Sequence, residues 1–188
     1  MRPTIQIDRR MLEDVQNRLG HFQNKAPQVI SSALNRALTN VTSNISKETR
    51  QKYNIKAADI KSTLEKTRAS KTSLNAIVRS RGSLIPLDRF KVSPRKVTPK
   101  RKASIKIGVK KNGMKTLSGA FVADINGLKV FRREGRKRLP IDRLFGPSVP
   151  QMLKSEEIRE RINREGQDTF YRRLDHEIDR LLNGGAAS

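Results

Sequence analysis

Ala120-Phe121-Val122-Ala123-Asp124-Ile125-Asn126-Gly127-Leu128-Lys129-Val130-Phe131 sets two runs rich in β-branched and aromatic residues on either side of Asn126-Gly127. Asn-Gly suits a two-residue hairpin turn of type I′, in which both central residues need positive φ. The stretch therefore predicts an antiparallel hairpin, and with it a sheet that the rest of the chain must cover. Upstream, Ile105, Ile107 and Val109 alternate with Lys106 and Lys110, which predicts a strand with its lysines outward, and Asn112-Gly113 reads as a turn. Farther back, Leu74, Ala76 and Val78 mark a strand ending at Gly82, and Leu87–Val92 a short one. Downstream, Leu139–Phe145 predicts a further strand, stopped by Gly146-Pro147.

Helices flank this β-rich middle. Met11, Leu12, Val15 and Leu19 follow Asp8 at helical spacing and stop before Gly20, which predicts a capped helix within residues 1–24. Ile30, Leu34, Ala37/Leu38, Val41 and Ile45 predict a long helix from Pro27 to about Gln51, with its Ser, Asn and Thr residues on the surface, the two Asn-x-Ser/Thr sequons included. Lys56 to about Lys66 predicts a third, short helix. Ile158, Ile162, Phe170, Leu174, Ile178 and Leu181/Leu182 form a stripe over residues 155–183, interrupted at Gly166 and stopped by Gly184-Gly185. The fold class is α+β: one domain, 1–188, with an antiparallel β-sheet packed by a long N-terminal helix and a long C-terminal helix. Residues 83–102, which contain Pro86, Pro94 and Pro99, read as an extended basic arm, and residues 139–152 as a stiff Pro-rich connector.

The chain has 188 residues with 41 Lys+Arg against 18 Asp+Glu, a formal charge of +23, and only 35% hydrophobic residues. The excess is regional: residues 56–118 carry +15, whereas residues 151–188 carry −1. Such a surplus implies a polyanionic partner or an acidic protein neighbour. Arg95, Lys96, Lys100, Arg101 and Lys102 lie in the arm, and Lys106, Lys110, Lys111 and Lys115 follow on the next strand and turn. These are the candidate partner-contacting residues, toward duplex DNA through its phosphates or toward acidic protein. Eight aromatic residues, none of them Trp, give little support to base stacking. No apolar run approaches the roughly 20 residues that span a bilayer, so a soluble protein without a membrane partner is expected.

Motifs for catalysis are missing. The absence of cysteine excludes thiolate chemistry and Cys-ligated metals. His21 and His176 have no partner at metal-ligand spacing. Gly108 to Thr116 approaches a phosphate-loop spacing, but Met114 interrupts it and no helix pattern follows. Asp88, Asp124 and Asp142 would form a nuclease-like metal cluster only if their strands were adjacent, and each has an Arg or Lys nearby to pair with. No cofactor or metal is expected, and no enzymatic activity.

Gly119-Ala120-Phe121-Val122 opens the hairpin, and Arg138-Leu139-Pro140-Ile141-Asp142-Arg143-Leu144-Phe145-Gly146-Pro147-Ser148-Val149-Pro150-Gln151-Met152 follows about twenty residues later. With Ala33-Leu34-Asn35-Arg36-Ala37 upstream, these segments resemble the minor tail protein Z family of tailed bacteriophages and prophages, over about Ala26 to Leu182. The resemblance implies a structural virion protein involved in tail completion at the head-proximal end of the tail. By analogy with head–tail joining proteins it implies a homo-oligomeric ring around the DNA channel, sixfold, next to a tail terminator and a head–tail connector. It carries no catalytic residues; what it marks is a structural or assembly segment: Gly119, Ala120, Phe121, Leu139, Pro140, Ile141, Gly146, Pro147, Ser148, Val149 and Pro150. The connector either lies across the sheet of its own subunit or docks on a neighbour. The alternative function, resting on charge alone, is a monomeric basic nucleic-acid-binding protein without sequence preference.

Overall fold

The computed structural model describes residues 7–98 and 103–184. Over these residues the architecture is mixed α+β: helices lead, ten short strands follow, and a long helix comes last. The strands do not form one sheet. They make four small antiparallel sheets of two or three strands each, because most runs between prolines and turns are only two to four residues long. The chain divides into two compact units. One holds the chain up to Ile45, Leu64–Ser80 and the chain from Leu153; the other holds Ser46–Thr63 and Arg81–Met152.

In the first unit, α1 (Arg9–Leu19) starts where Asp8 accepts a hydrogen bond from the Met11 amide at 2.8 Å, and ends at Gly20, whose φ is 53°. A 3₁₀ segment, Gly20–Lys25, leads into α2 (Ala26–Lys52). The apolar stripes of α1 and α2 meet that of α5 (Glu156–Gly184) in one core, in which Val15, Leu19, Ile30, Ala33 and Phe170 are almost fully buried. Gly166, the gap in the α5 stripe, is buried as well. A Cβ placed there would stand 2.7 Å from Val41 Cγ2, so the missing side chain is the space in which Val41 sits. Arg18 reaches from α1 to Asp175 on α5 at 2.6 Å.

Two expectations for the helices differ from what is observed. Thr42 and Asn44 are buried (5% and 8% exposed), not surface positions of α2. Each side chain makes one hydrogen bond within the helix, Thr42 Oγ1 donating to Leu38 O and Asn44 Nδ2 to Asn40 Oδ1, both at 2.7 Å. The third helix, α3 (Ala57–Lys61), stops five residues short of Lys66. Ser62 and Thr63 return their hydroxyls to the carbonyls of Asp59 and Ile60, which competes with further helix. Residues Leu64–Thr67 form strand β1 instead, paired with β2 (Ile77–Ser80).

The second unit contains β3 (Ile85–Pro86), β4 (Lys91–Ser93), β5 (Ile105–Gly108), β6 (Lys115–Leu117), β7 (Ala120–Asp124), β8 (Leu128–Arg133), β9 (Ile141–Arg143), β10 (Phe145–Gly146) and the short helix α4 (Val149–Met152). The hairpin β7–β8 forms as expected, with one difference. Asp124 pairs with Leu128, so the loop holds three residues, Ile125, Asn126 and Gly127, not two. Asn126 and Gly127 keep the positive φ of the expected turn, 52° and 95°. This register sets Val122 opposite Val130, so the two buried valines share a face; a slip by one residue would separate them. The Asp124 carboxylate accepts from the Gly127 amide and closes the loop.

Candidate assembly and polyanion surface

The strand order β4-β5-β6 arranges the basic middle of the chain. Val92 lies opposite Ile107, and both are buried with Ile105. Alternation sends Lys91, Ser93, Lys106 and Thr116 to the other face, where Ser93 and Thr116 flank Lys106 in register. Lys106, Lys110, Lys111 and Lys115 are all exposed, as are Arg95 and Lys96. Among the described residues, none of the six is paired with an acid. Lys100, Arg101 and Lys102 lie outside the described residues.

The lysine-bearing turn is held by a residue that charge patterns do not reveal. Asn54, just past the end of α2, donates from Nδ2 to Gly108 O at 2.9 Å and to Lys110 O at 3.1 Å, and its amide donates to Val109 O at 2.9 Å. The Lys111 amide donates to Lys52 O. Residues 108–111 are thus tied through their backbone to the end of α2, and β6, not a helix, follows. This geometry is that of a pinned basic turn and not of a phosphate loop.

The arm and connector are more structured than the sequence suggests. Residues 85–93 of the arm form β3, a 3₁₀ turn and β4, with Leu87, Phe90 and Val92 buried. In the connector, β9 extends the β7-β8 sheet, and Phe145 of β10 pairs with Pro86. Gly146 lies so close to the core that a Cβ would meet Phe90 Cε2 at 2.8 Å. Ser148 and Gln151 then form a capping box: the Ser148 amide donates to Gln151 Oε1 at 2.9 Å and the Gln151 amide to Ser148 Oγ at 3.4 Å. Ser148-Val149-Pro150-Gln151 is therefore a helix start rather than an extended strap, and Pro150 sits in the first turn, where its missing amide costs little. Val149 is fully buried. Gly119 takes φ 69° at the mouth of the hairpin, Ala120 is buried, and Phe121 packs its ring on Phe131 under Arg133. Ile141 pairs with Arg133 at the sheet edge. Leu139, which precedes Pro140, stays 65% exposed, and Phe145 48%.

A family model described as Prophage minor tail protein Z (GPZ) matches residues 11–183, nearly the whole chain. The chain belongs to the prophage minor tail protein Z family. It is a structural protein of the phage tail, and the hairpin, the Leu139–Met152 segment, α2 and all but the last residue of α5 lie within the matched range. No curated protein and no solved structure matches the chain.

As a minor tail protein Z, the chain shows no assembled catalytic centre among its described residues. Asp88 is engaged by Arg143 Nη2 at 3.0 and 3.2 Å, Asp124 closes its own loop, and Asp142 lies opposite Arg132 in the β8–β9 ladder. No group of three His, Asp or Glu residues is placed to hold a metal ion among the described residues. His21 is exposed beside the end of α1. His176 is different: it lines a cleft in the first unit with Arg36, Arg172 and Arg173, a grouping that the regional charge count passes over because residues 151–188 are near neutral in sum. No described helix is long and apolar enough to cross a membrane.

Proposed function

We propose that this family member is a tail completion component at the head-proximal end of the tail, assembled as a ring around the DNA channel and sixfold by analogy with head–tail joining proteins. Its neighbours would be the tail terminator and the head–tail connector. The observation that carries this reading is a division of labour within the second unit. Lys91, Lys106, Lys110 and Lys111 are exposed and unpaired among the described residues, which suits phosphates or an acidic ring. Leu84, Leu139 and Phe145 are 51%, 65% and 48% exposed, large apolar side chains of the kind that subunit contacts bury. A ring would cover the second set and leave the first free. Leu139 of the assembly motif contributes to that surface together with its near neighbour Phe145, while Gly146, Ser148 and Val149 hold it in shape.

Solution mass tests the ring. A species near six times 21.3 kDa is expected, surviving in high salt because the contacts are apolar. Leu139→Asp with Phe145→Asp should yield a folded monomer. A wild-type chain that is monomeric at all concentrations and salt levels, yet binds DNA, would favour the nucleic-acid-binding alternative.

A further inference from the structure

The cleft of the first unit is built by two helices with one spacing. Arg36, Thr39, Asn40 and Ser43 stand at i, i+3, i+4 and i+7 on α2, and Thr169, Arg172, Arg173 and His176 repeat that pattern on α5. At 3.6 residues per turn each set occupies one face. Together they enclose about 600 Å³. The approach of the two helices at Gly166 and Val41 holds the walls together.

The chemistry of this lining is one-sided. It contains three arginines and no acidic residue. Arg36, Arg172 and Arg173 are exposed, and none is paired with an acid among the described residues. Thr169 is 7% exposed, and its hydroxyl makes no hydrogen bond among the described residues. Asn40 has its carbonyl oxygen engaged by Asn44 Nδ2, which leaves its NH₂ as the group to offer a ligand. The Thr39 hydroxyl is already donated to Asn35 O, whereas Ser43 is exposed with no partner among the described residues. Guanidinium forks, two free hydroxyls and an amide NH₂ are a donor set that binds phosphate oxygens.

We infer that this cleft is a phosphate-binding site for the backbone of duplex DNA, separate from the basic sheet and independent of whether the chain forms a ring. Two features favour nucleic acid over an acidic protein segment. The apolar part of the lining comes from threonine methyls and arginine stems, with no Leu, Ile, Val, Met, Phe, Tyr or Trp among the lining residues, whereas a protein interface centres on such anchors. The lining also has length: seven residues of helix run about 10 Å, enough to lie along adjacent phosphates of one strand.

The test measures binding of the full-length chain to a fluorescein-labelled 20-base-pair duplex by anisotropy across a salt series. Variant Arg36→Gln/Arg172→Gln/Arg173→Gln is compared with Lys106→Gln/Lys110→Gln/Lys111→Gln, after thermal melts show both folded. The arginine triple should weaken binding at least tenfold and flatten the log–log salt slope by about 2 to 3, since each phosphate contact contributes about 0.9. Ser43→Asp, which puts a carboxylate at the mouth, should weaken binding too, and duplex should shift the His176 ring proton resonances in the wild type. Unchanged affinity and slope in the arginine triple would overturn the inference. So would a triple that loses only polyglutamate binding, which would mark a carboxylate site for protein. Resonance shifts with inorganic phosphate but none with duplex would mark a small-oxyanion site and overturn it equally.

Discussion

Gly166 of α5 faces Val41 of α2 so closely that a β-carbon on Gly166 would lie 2.7 Å from Val41 Cγ2. Helix propensity and packing make opposite demands at this position. In an open helix Gly→Ala gains about 1 kcal/mol. Here the added methyl overpacks a buried contact, at a cost of about 1–3 kcal/mol beyond that gain. Gly166→Ala is expected to lower the urea midpoint, and Val41→Ala in the same chain to restore most of it. A stabilised Gly166→Ala single variant would show that the helices do not meet there.

Asn35 exchanges two hydrogen bonds with the backbone of Ala69, Nδ2 donating to Ala69 O at 2.9 Å and Oδ1 accepting from Ala69 N at 3.0 Å. The side chain acts as a substitute strand for a segment that continues from β1. Asn35→Ala leaves both backbone groups of Ala69, itself 8% exposed, without a partner and should cost about 2–4 kcal/mol. Asn35→Asp keeps the shape but cannot donate to Ala69 O, so it should be destabilising as well. Equilibrium unfolding and amide exchange at Ala69 report on both.

Ser148→Ala removes one half of the capping box with Gln151 and is expected to cost about 1 kcal/mol. Ser148→Asp should retain most of the stability, because its carboxylate accepts from the Gln151 amide as the hydroxyl does. Thermal melts of the two variants distinguish a cap from a residue that merely fills space.

How much of this is legible in the sequence depends on whether the cause is local. The cap of α1 by Asp8, the stop at Gly20 and the hairpin around Asn126-Gly127 follow from near neighbours, and all three are observed. The loop length in that hairpin is set by Val122 meeting Val130 across the ladder, which turn residues alone do not specify. Strand β1 is obscured because Leu64-Glu65-Lys66 continues the helical spacing of Ile60; the hydroxyls of Ser62 and Thr63 end the helix first. Pro140, Pro147 and Pro150 suggest a strap, whereas the Ser148-x-x-Gln151 signature marks a helix start. Gly166 is visible as a gap in a stripe, but its reason lies far along the chain at Val41. The arginine cleft is written in two matching i, i+3, i+4, i+7 patterns, yet only the packing of α2 beside α5 brings them together.

Location in the virion tests the proposed role most directly. Purified virions of the phage that encodes this chain would be decorated with antibody against it and viewed by negative-stain electron microscopy. Label at the head-proximal end of the tail, close to the neck, is the expected result. Label at the distal tail tip or over the capsid shell would contradict it.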